Sequence, residues 1–278
     1  MLNIHGEPQL RRVIFELRFQ PSLKYYDEIN EIGALLNQTY PYWQRDWTKI
    51  QFMDRVNHSS LIIEHNRIGS HIDIPNSFSY FKKRVLEGIK VYNEKIQINN
   101  VGRSGLRCLW LCPVDFDFNE LLKIVQDKFY APKEELNEVI GNQFNDIAYM
   151  FYFEKEGYNV HLRMGPVIKD EIPQWIPPQG PAYEEPDDDE NLRSNNGVDK
   201  HISSQAIESY NLDNEMRDTT TYPEVAIFYD IDCYTEKLKI NDMETFLDKG
   251  YDIARSVVTG ITKYLMETYY GSGKSYCS

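Results

Sequence analysis

Residues 13–19 read Val-Ile-Phe-Glu-Leu-Arg-Phe. In an extended chain that order sends Val13, Phe15, Leu17 and Phe19 to one face, and Ile14, Glu16 and Arg18 to the other. A strand with a single apolar face needs a covering layer on that face only. It therefore belongs in an antiparallel sheet with helices on one side, not in a parallel sheet buried on both. Pro21 ends the strand.

The downstream segments repeat that demand. A helix is expected over about 22–39, with Leu23, Tyr26, Ile29, Ile32 and Leu36 on its apolar stripe and Pro41 closing it. Residues 50–56, 60–65 and 68–74 read as short strands, the last two forming a hairpin around Asn66-Arg67. A helix over 77–95 turns Phe78, Phe81, Val85, Ile89 and Tyr92 inward. A strand at 101–112 and a helix carrying Phe118, Leu121, Leu122, Val125 and Phe129 come next. Strands at about 145–155 and 158–168 meet at Glu156-Gly157, a turn signal. A strand at 224–233 precedes a long last helix. That helix is expected to begin at Asn241, with Asn241 and Glu244 spaced as a capping box. Met243, Phe246, Leu247, Ile253, Val257, Ile261 and Leu265 line its stripe.

The expected fold is thus α+β. Two pseudo-repeated β-α-β-β-β-α halves, residues 1–98 and 99–278, form antiparallel sheet packed by helices, with a long acidic insertion in the second half. The halves match in element order, not residue by residue. Paired edge to edge, they give one curved sheet. Such a saddle resembles the TATA-binding-protein topology, a likeness of architecture that implies no function.

The net charge of −13 has one source. Residues 170–222 hold 13 acidic and 3 basic residues, so the remaining chain is nearly neutral. The segment opens with Pro173, Pro177, Pro178, Gly180 and Pro181. It continues through Glu184, Glu185, Asp187, Asp188, Asp189 and Glu190 into a Ser/Asn-rich stretch, with a short helix expected near 203–210. It offers too little apolar surface to offset the entropy of ordering it. Three readings are open for the acidic run: a solvated loop, a docking arm for a basic partner, or a cation site, although the spaced ligands of an EF-hand loop are absent. Clustered basic residues are lacking, so direct nucleic-acid binding is not expected.

Cys108 and Cys112 lie four apart on one strand, so their Cα atoms are about 13 Å apart, too far for a disulfide. No cysteine–histidine spacing fits zinc. Reduced thiols, no apolar leader in MLNIHGEPQLRR and no run of about 18 apolar residues make a cytoplasmic chain with no membrane contact the expectation.

Three segments together carry a family resemblance: Val13–Pro21 (VIFELRFQP), Val101–Trp110 (VGRSGLRCLW), and Phe228–Tyr234 (FYDIDCY) ahead of a helix containing Gly260-Ile261-Thr262. The pattern resembles a sporadically distributed bacterial family of uncharacterised proteins, about 250 residues long. It has a Phe-Glu-(Ile/Leu)-Arg-Phe-x-Pro strand, a Gly-Leu-Arg strand and an Asp-Ile-Asp strand. Cys108 stands where that pattern commonly has an aromatic. The resemblance implies no established activity; the family's patchy distribution implies a mobile or defence-associated gene.

Alternation puts Glu16 and Arg18 on one face of the first strand, and Arg107 on the polar side of the mid-chain strand. Asp230 and Asp232 share a face about 7 Å apart. If these strands are neighbours, five charges converge on one surface. That surface is read either as a groove for a ligand or partner or as a structural ion-pair network. Gly271-Ser-Gly-Lys-Ser275 mimics the end of a phosphate loop but follows a helix instead of a strand. His58, His65 and His71 share one hairpin region; His65 and His71 would face each other if its turn centred near Ile68, yet further metal ligands are missing.

The expected function is a non-enzymatic binding or interaction protein without a cofactor, its partner a protein or small ligand, with a homodimer open. One alternative is a metal-dependent hydrolase or nucleotide-acting enzyme using Asp230, Asp232 and Arg107. Another is a nucleic-acid mimic or inhibitor built on the acidic run.

Overall fold

The alternation at residues 13–19 is the inner part of β1 (Gln9–Phe19), the strand through which the rest of the sheet is joined. The structure is a computed structural model. It describes residues 7–271 except 41, 55, 74, 76, 116, 131–138, 140, 142–143, 176–221 and 237. The acidic residues Glu184, Glu185, Asp187, Asp188, Asp189 and Glu190 lie outside the described residues, as does the expected helix at 203–210.

After β1 come α1 (Lys24–Leu36), β2 (Tyr42–Arg45), β3 (Lys49–Asp54), β4 (Ser59–Glu64), β5 (Arg67–Asp73) and α2 (Phe78–Ile96). The chain continues through β6 (Val101–Pro113), α3 (Phe118–Phe129), β7 (Tyr149–Lys155) and β8 (Tyr158–Ile168). One helical turn at Ile172–Trp175, β9 (Val225–Thr235), a 3₁₀ turn at Ile240–Asp242 and α4 (Met243–Gly271) complete it. The strands form a single nine-stranded sheet in the order β2-β3-β4-β5-β1-β6-β9-β8-β7, and every neighbouring pair is antiparallel. The class is α+β.

The main core lies on one side of the sheet, as the alternation of β1 requires. Val13, Phe15 and Leu17 are fully buried, and so are Phe52, Leu61, Ile68, Leu106, Cys108 and Ile231 on the same side of neighbouring strands. Burying such a side chain contributes about 1.5–3 kcal/mol. The helices supply the cover. Gly88 of α2 lies against Leu61, Gly250 of α4 lies against Leu106, and Tyr25 of α1 donates its hydroxyl to the Ile63 carbonyl at 2.9 Å. Helix starts are fixed locally. The Ser77 hydroxyl accepts from Tyr80 N–H at 3.3 Å, and the Asp117 carboxylate accepts from Glu120 N–H at 2.9 Å.

Four local expectations are corrected. The first half holds an additional strand, β2. Four residues behind a proline, two of them Gln44 and Arg45, are too short to display a period. The buried stripe of α1 is Tyr25, Ile29, Ile32 and Leu36; Leu23 precedes the helix and is 84% exposed, and Tyr26 is also exposed. Tyr25 and Tyr26 both fit the helical period relative to Ile29, and the Ile63 carbonyl selects Tyr25. Asn241 lies within the 3₁₀ turn, and α4 begins at Met243, so the capping-box reading fails. His65 and His71 do not face each other. The hairpin turns at His65-Asn66, leaving His71 opposite Ser60.

The β7–β8 turn has Glu156 at φ 51° and Gly157 at φ 83°. Both central residues are left-handed, which matches the twist of a tight hairpin. Just before β7 the backbone runs close to β8, and a Cβ on Gly165 would come within 2.6 Å of the Ile147 carbonyl oxygen. Backbone cannot swing aside as a side chain can. Gly165→Ala is expected to lower stability by about 1–3 kcal/mol, read as an earlier denaturant midpoint with an unchanged slope.

Candidate functional site

Helices cover one side of the sheet, so the alternate residues of each strand form its other, open face. Register then fixes which of them meet. On β1, Glu16 lies between Gly69 of β5 and Gly105 of β6, and Arg18 lies between Arg67 and Arg103. From β6 to β9, Arg107 is opposite Asp232 and Leu109 is opposite Asp230. From β9 to β8, Asp232 faces His161 and Asp230 faces Arg163. Glu16, Arg18, Arg107, Asp230 and Asp232 therefore stand on three adjacent strands and on the same face.

The cross-strand charges are paired diagonally. Arg107 grips Asp230 with two hydrogen bonds, Nε to Oδ1 at 2.7 Å and Nη2 to Oδ2 at 2.6 Å. A forked contact of this kind holds both groups in one orientation. Arg103 Nη2 donates to Asp232 Oδ2 at 2.8 Å, and its guanidinium lies 4.6 Å from the Tyr234 ring centroid. Gly105 leaves the space for that pair, since a Cβ there would stand 3.4 Å from Asp232 Oδ1. Glu16 has glycine on either side and so receives arginines from along the strands. Arg18 Nε lies at 2.7 Å and Arg67 Nη1 at 3.4 Å, and Arg67 also reaches Glu64 at 2.6 Å.

Sequence reasoning missed Arg103, Arg67, Glu64 and His161. Arg103 was within reach, because it is four residues from Arg107 on one strand and so shares its face. The others depend on cross-strand register. His161 stacks on Tyr152 with centroids 4.2 Å apart and planes 10° apart. Its Nε2 is buried without a hydrogen-bond partner.

Burial pushes the Asp232 carboxyl above its ordinary pKa; Arg103 and Arg107 pull it back, while Asp230 adds to the rise. The hydrogen bonds that Arg107 donates to Asp230 raise its pKa despite partial burial. No group of three or more metal-ligating side chains is found among the described residues. Both carboxylates already accept from guanidinium groups, so a divalent ion would have to displace a cation from each or sit beside it.

The open face is not polar throughout. Leu109, Leu111, Val167, Ala226 and Phe228 form a small apolar cluster there. It is closed over by Ile172 from the turn after β8, with Ile14 and Tyr222 at its margin. Ile172 is fully buried. The described residues on each side of 176–221 thus pack on the open face, leaving its charged part uncovered by the helices. Cys108, Cys112 and Cys233 are buried free thiols on the opposite side.

Near the other margin, the Ser60 hydroxyl and His71 Nδ1 are 2.8 Å apart, beside an ion pair between Arg12 and Asp73. Burial pushes His71 below its ordinary value of 6.5; Asp73 opposes this and Arg12 adds to it. A depressed histidine takes up its proton in the unfolded chain first, so stability falls as pH drops below 6.5. His71→Gln is expected to flatten that acid limb, read as unfolding free energy from pH 7.5 down to pH 5.

No protein-family model matches the chain, and no curated protein matches it. Among solved structures, Methanococcus jannaschii TBP aligns at 10% identity over 57% of this chain and 82% of that chain, with a TM-score of 0.26.

Proposed function

We propose that the chain is a non-enzymatic interaction protein and that the open sheet face is its recognition surface. The observation that carries this reading is the row of arginine–carboxylate pairs on the part of the sheet face that no described helix covers. These side chains are fixed by one another, and the arginines are still partly accessible. Arg107 keeps about half of its exposure, at 49%, while holding Asp230. A surface of preset charges of both signs favours a partner that presents both signs in a matching order, as a folded protein does.

Nucleic acid is disfavoured as that partner. A phosphate backbone would meet Glu16, Asp230 and Asp232, and the arginines between them are already neutralised. The hydrolase reading is weakened by the same pairing, because Asp230 and Asp232 are engaged by arginines and not held open for a cation. The mimic reading rests on Glu184, Glu185, Asp187, Asp188, Asp189 and Glu190 alone.

Internal pseudo-symmetry suits the interaction reading. The strand order runs outward from β1 through β5, β4, β3 and β2, and from β6 through β9, β8 and β7. Two related halves, divided near residue 98, would account for that order, and membership of the sporadically distributed bacterial family would account for the three sequence motifs. On this reading the protein acts in the cytoplasm, where buried thiols stay reduced, in a mobile or defence-associated system. No described helix is long and apolar enough to cross a membrane.

Native mass spectrometry of the protein purified gently from its own host tests the reading. Three versions are compared: wild type, Arg107→Glu, and Lys90→Glu on the exposed side of α2. A stoichiometric companion is expected with wild type and Lys90→Glu and at least about tenfold less with Arg107→Glu, whose thermal melt stays cooperative. Equal capture by all three, or none by any, would sink the proposal.

A further inference from the structure

The sheet has two ends, and they are built differently. β2 is four residues long, follows a proline and ends in Gln44 and Arg45. A short, polar edge of this kind offers little to a further strand. β7, at the other end, is seven residues long and pairs with β8 without a register shift. It reads Tyr-Met-Phe-Tyr-Phe-Glu-Lys, with no proline, no bulge and no charge pointing into the core before Lys155. Met150 is 61% exposed and Tyr152 is 73% exposed. Among the described residues, no strand pairs with the outer side of β7.

The tight turn identifies the backbone groups left over. In a hairpin with a two-residue turn at Glu156-Gly157, the flanking pair Lys155 and Tyr158 exchange hydrogen bonds, and alternate pairs do so along the ladder. Tyr149, Phe151, Phe153 and Lys155 therefore bond toward β8. The N–H and C=O of Met150, Tyr152 and Glu154 point away from the sheet.

We propose that β7 is a dimerisation edge, pairing antiparallel with β7 of a second copy of this chain about a two-fold axis at Tyr152. The sequence is self-complementary in that register. Tyr152 meets its own counterpart, and Met150 meets Glu154 of the partner subunit, so every outward N–H and C=O of the three residues finds a mate. On the helix side, Phe151 meets Phe153 of the partner subunit, an aromatic cross-strand pair. Tyr149 meets Lys155 of the partner subunit, placing a cation beside a ring. No like charges oppose each other. Shifting the axis to Glu154 would place two glutamates face to face and leave Met150 unmated, so that register is disfavoured. The joined sheet keeps both open faces on the same side, which doubles the surface without any new fold element.

This inference is independent of the partner reading, because it is tested without a partner. Size-exclusion chromatography with light scattering on the full chain, from about 1 to 100 μM, is expected to show a monomer–dimer equilibrium. Met150→Glu, which opposes Glu154 of the partner subunit twice by symmetry, is expected to weaken the dimer by about fivefold or more. Met150→Lys is expected to leave it as tight or tighter. Tyr152→Pro removes an outward N–H together with the ring stacked on His161, breaks no bond to β8, and is expected to yield a monomer with an unchanged far-ultraviolet dichroism spectrum. A wild-type monomer at 100 μM would overturn the proposal, as would a dimer that responds equally to both Met150 variants or survives Tyr152→Pro.

Discussion

Everything in this molecule hangs on the antiparallel seam between β1 and β6. It joins the five strands β2-β3-β4-β5-β1 to the four strands β6-β9-β8-β7, and without it there would be two narrow sheets with a raw edge each. The seam is long, running from Gln9 opposite Leu111 to Phe19 opposite Val101, with irregularities only toward its ends. Its two sides do different things. Val13, Phe15 and Leu17 anchor the helix layer on one side, and Glu16, Arg18, Arg103 and Arg107 begin the charged surface on the other. A one-residue slip would exchange these roles and bury the charges, so the hydrophobic pattern also enforces the register of the open face.

The charged surface is thereby a consequence of one-sided burial as much as a device for recognition. Ion pairs this accessible contribute little to stability, about 0–1 kcal/mol each. Their value is positional. Direct cross-strand opposition sets Arg18 between Arg67 and Arg103; glycines at 69 and 105 let the long side chains reach along the strands to Glu16 and Asp232.

The two edges complete the picture. One is blunted by shortness and polarity, and the other runs straight beside β8 with exposed Met150 and Tyr152 on its open side. The described chain thus exposes a charged face and an unpaired edge that adjoin each other. The Tyr152–His161 stack lies where they meet.

The period-2 alternation of 13–19 and the helical stripes of α2, α3 and α4 were legible without any structure, because burial on one side imposes its period directly on the residues. From them came the α+β class, most strand and helix locations, and the shared face of Asp230 and Asp232. β2 was not legible, being too short to show a period, and neither was the choice of Tyr25 over Tyr26, which a carbonyl from β4 makes. Local sequence also could not determine that β1 lies between β5 and β6, or that Arg107 reaches Asp230 instead of its direct partner Asp232. Strand order and diagonal reach are properties of chains brought together from far apart in sequence. The residues settle which face each side chain takes, and only the assembled sheet decides which side chains meet.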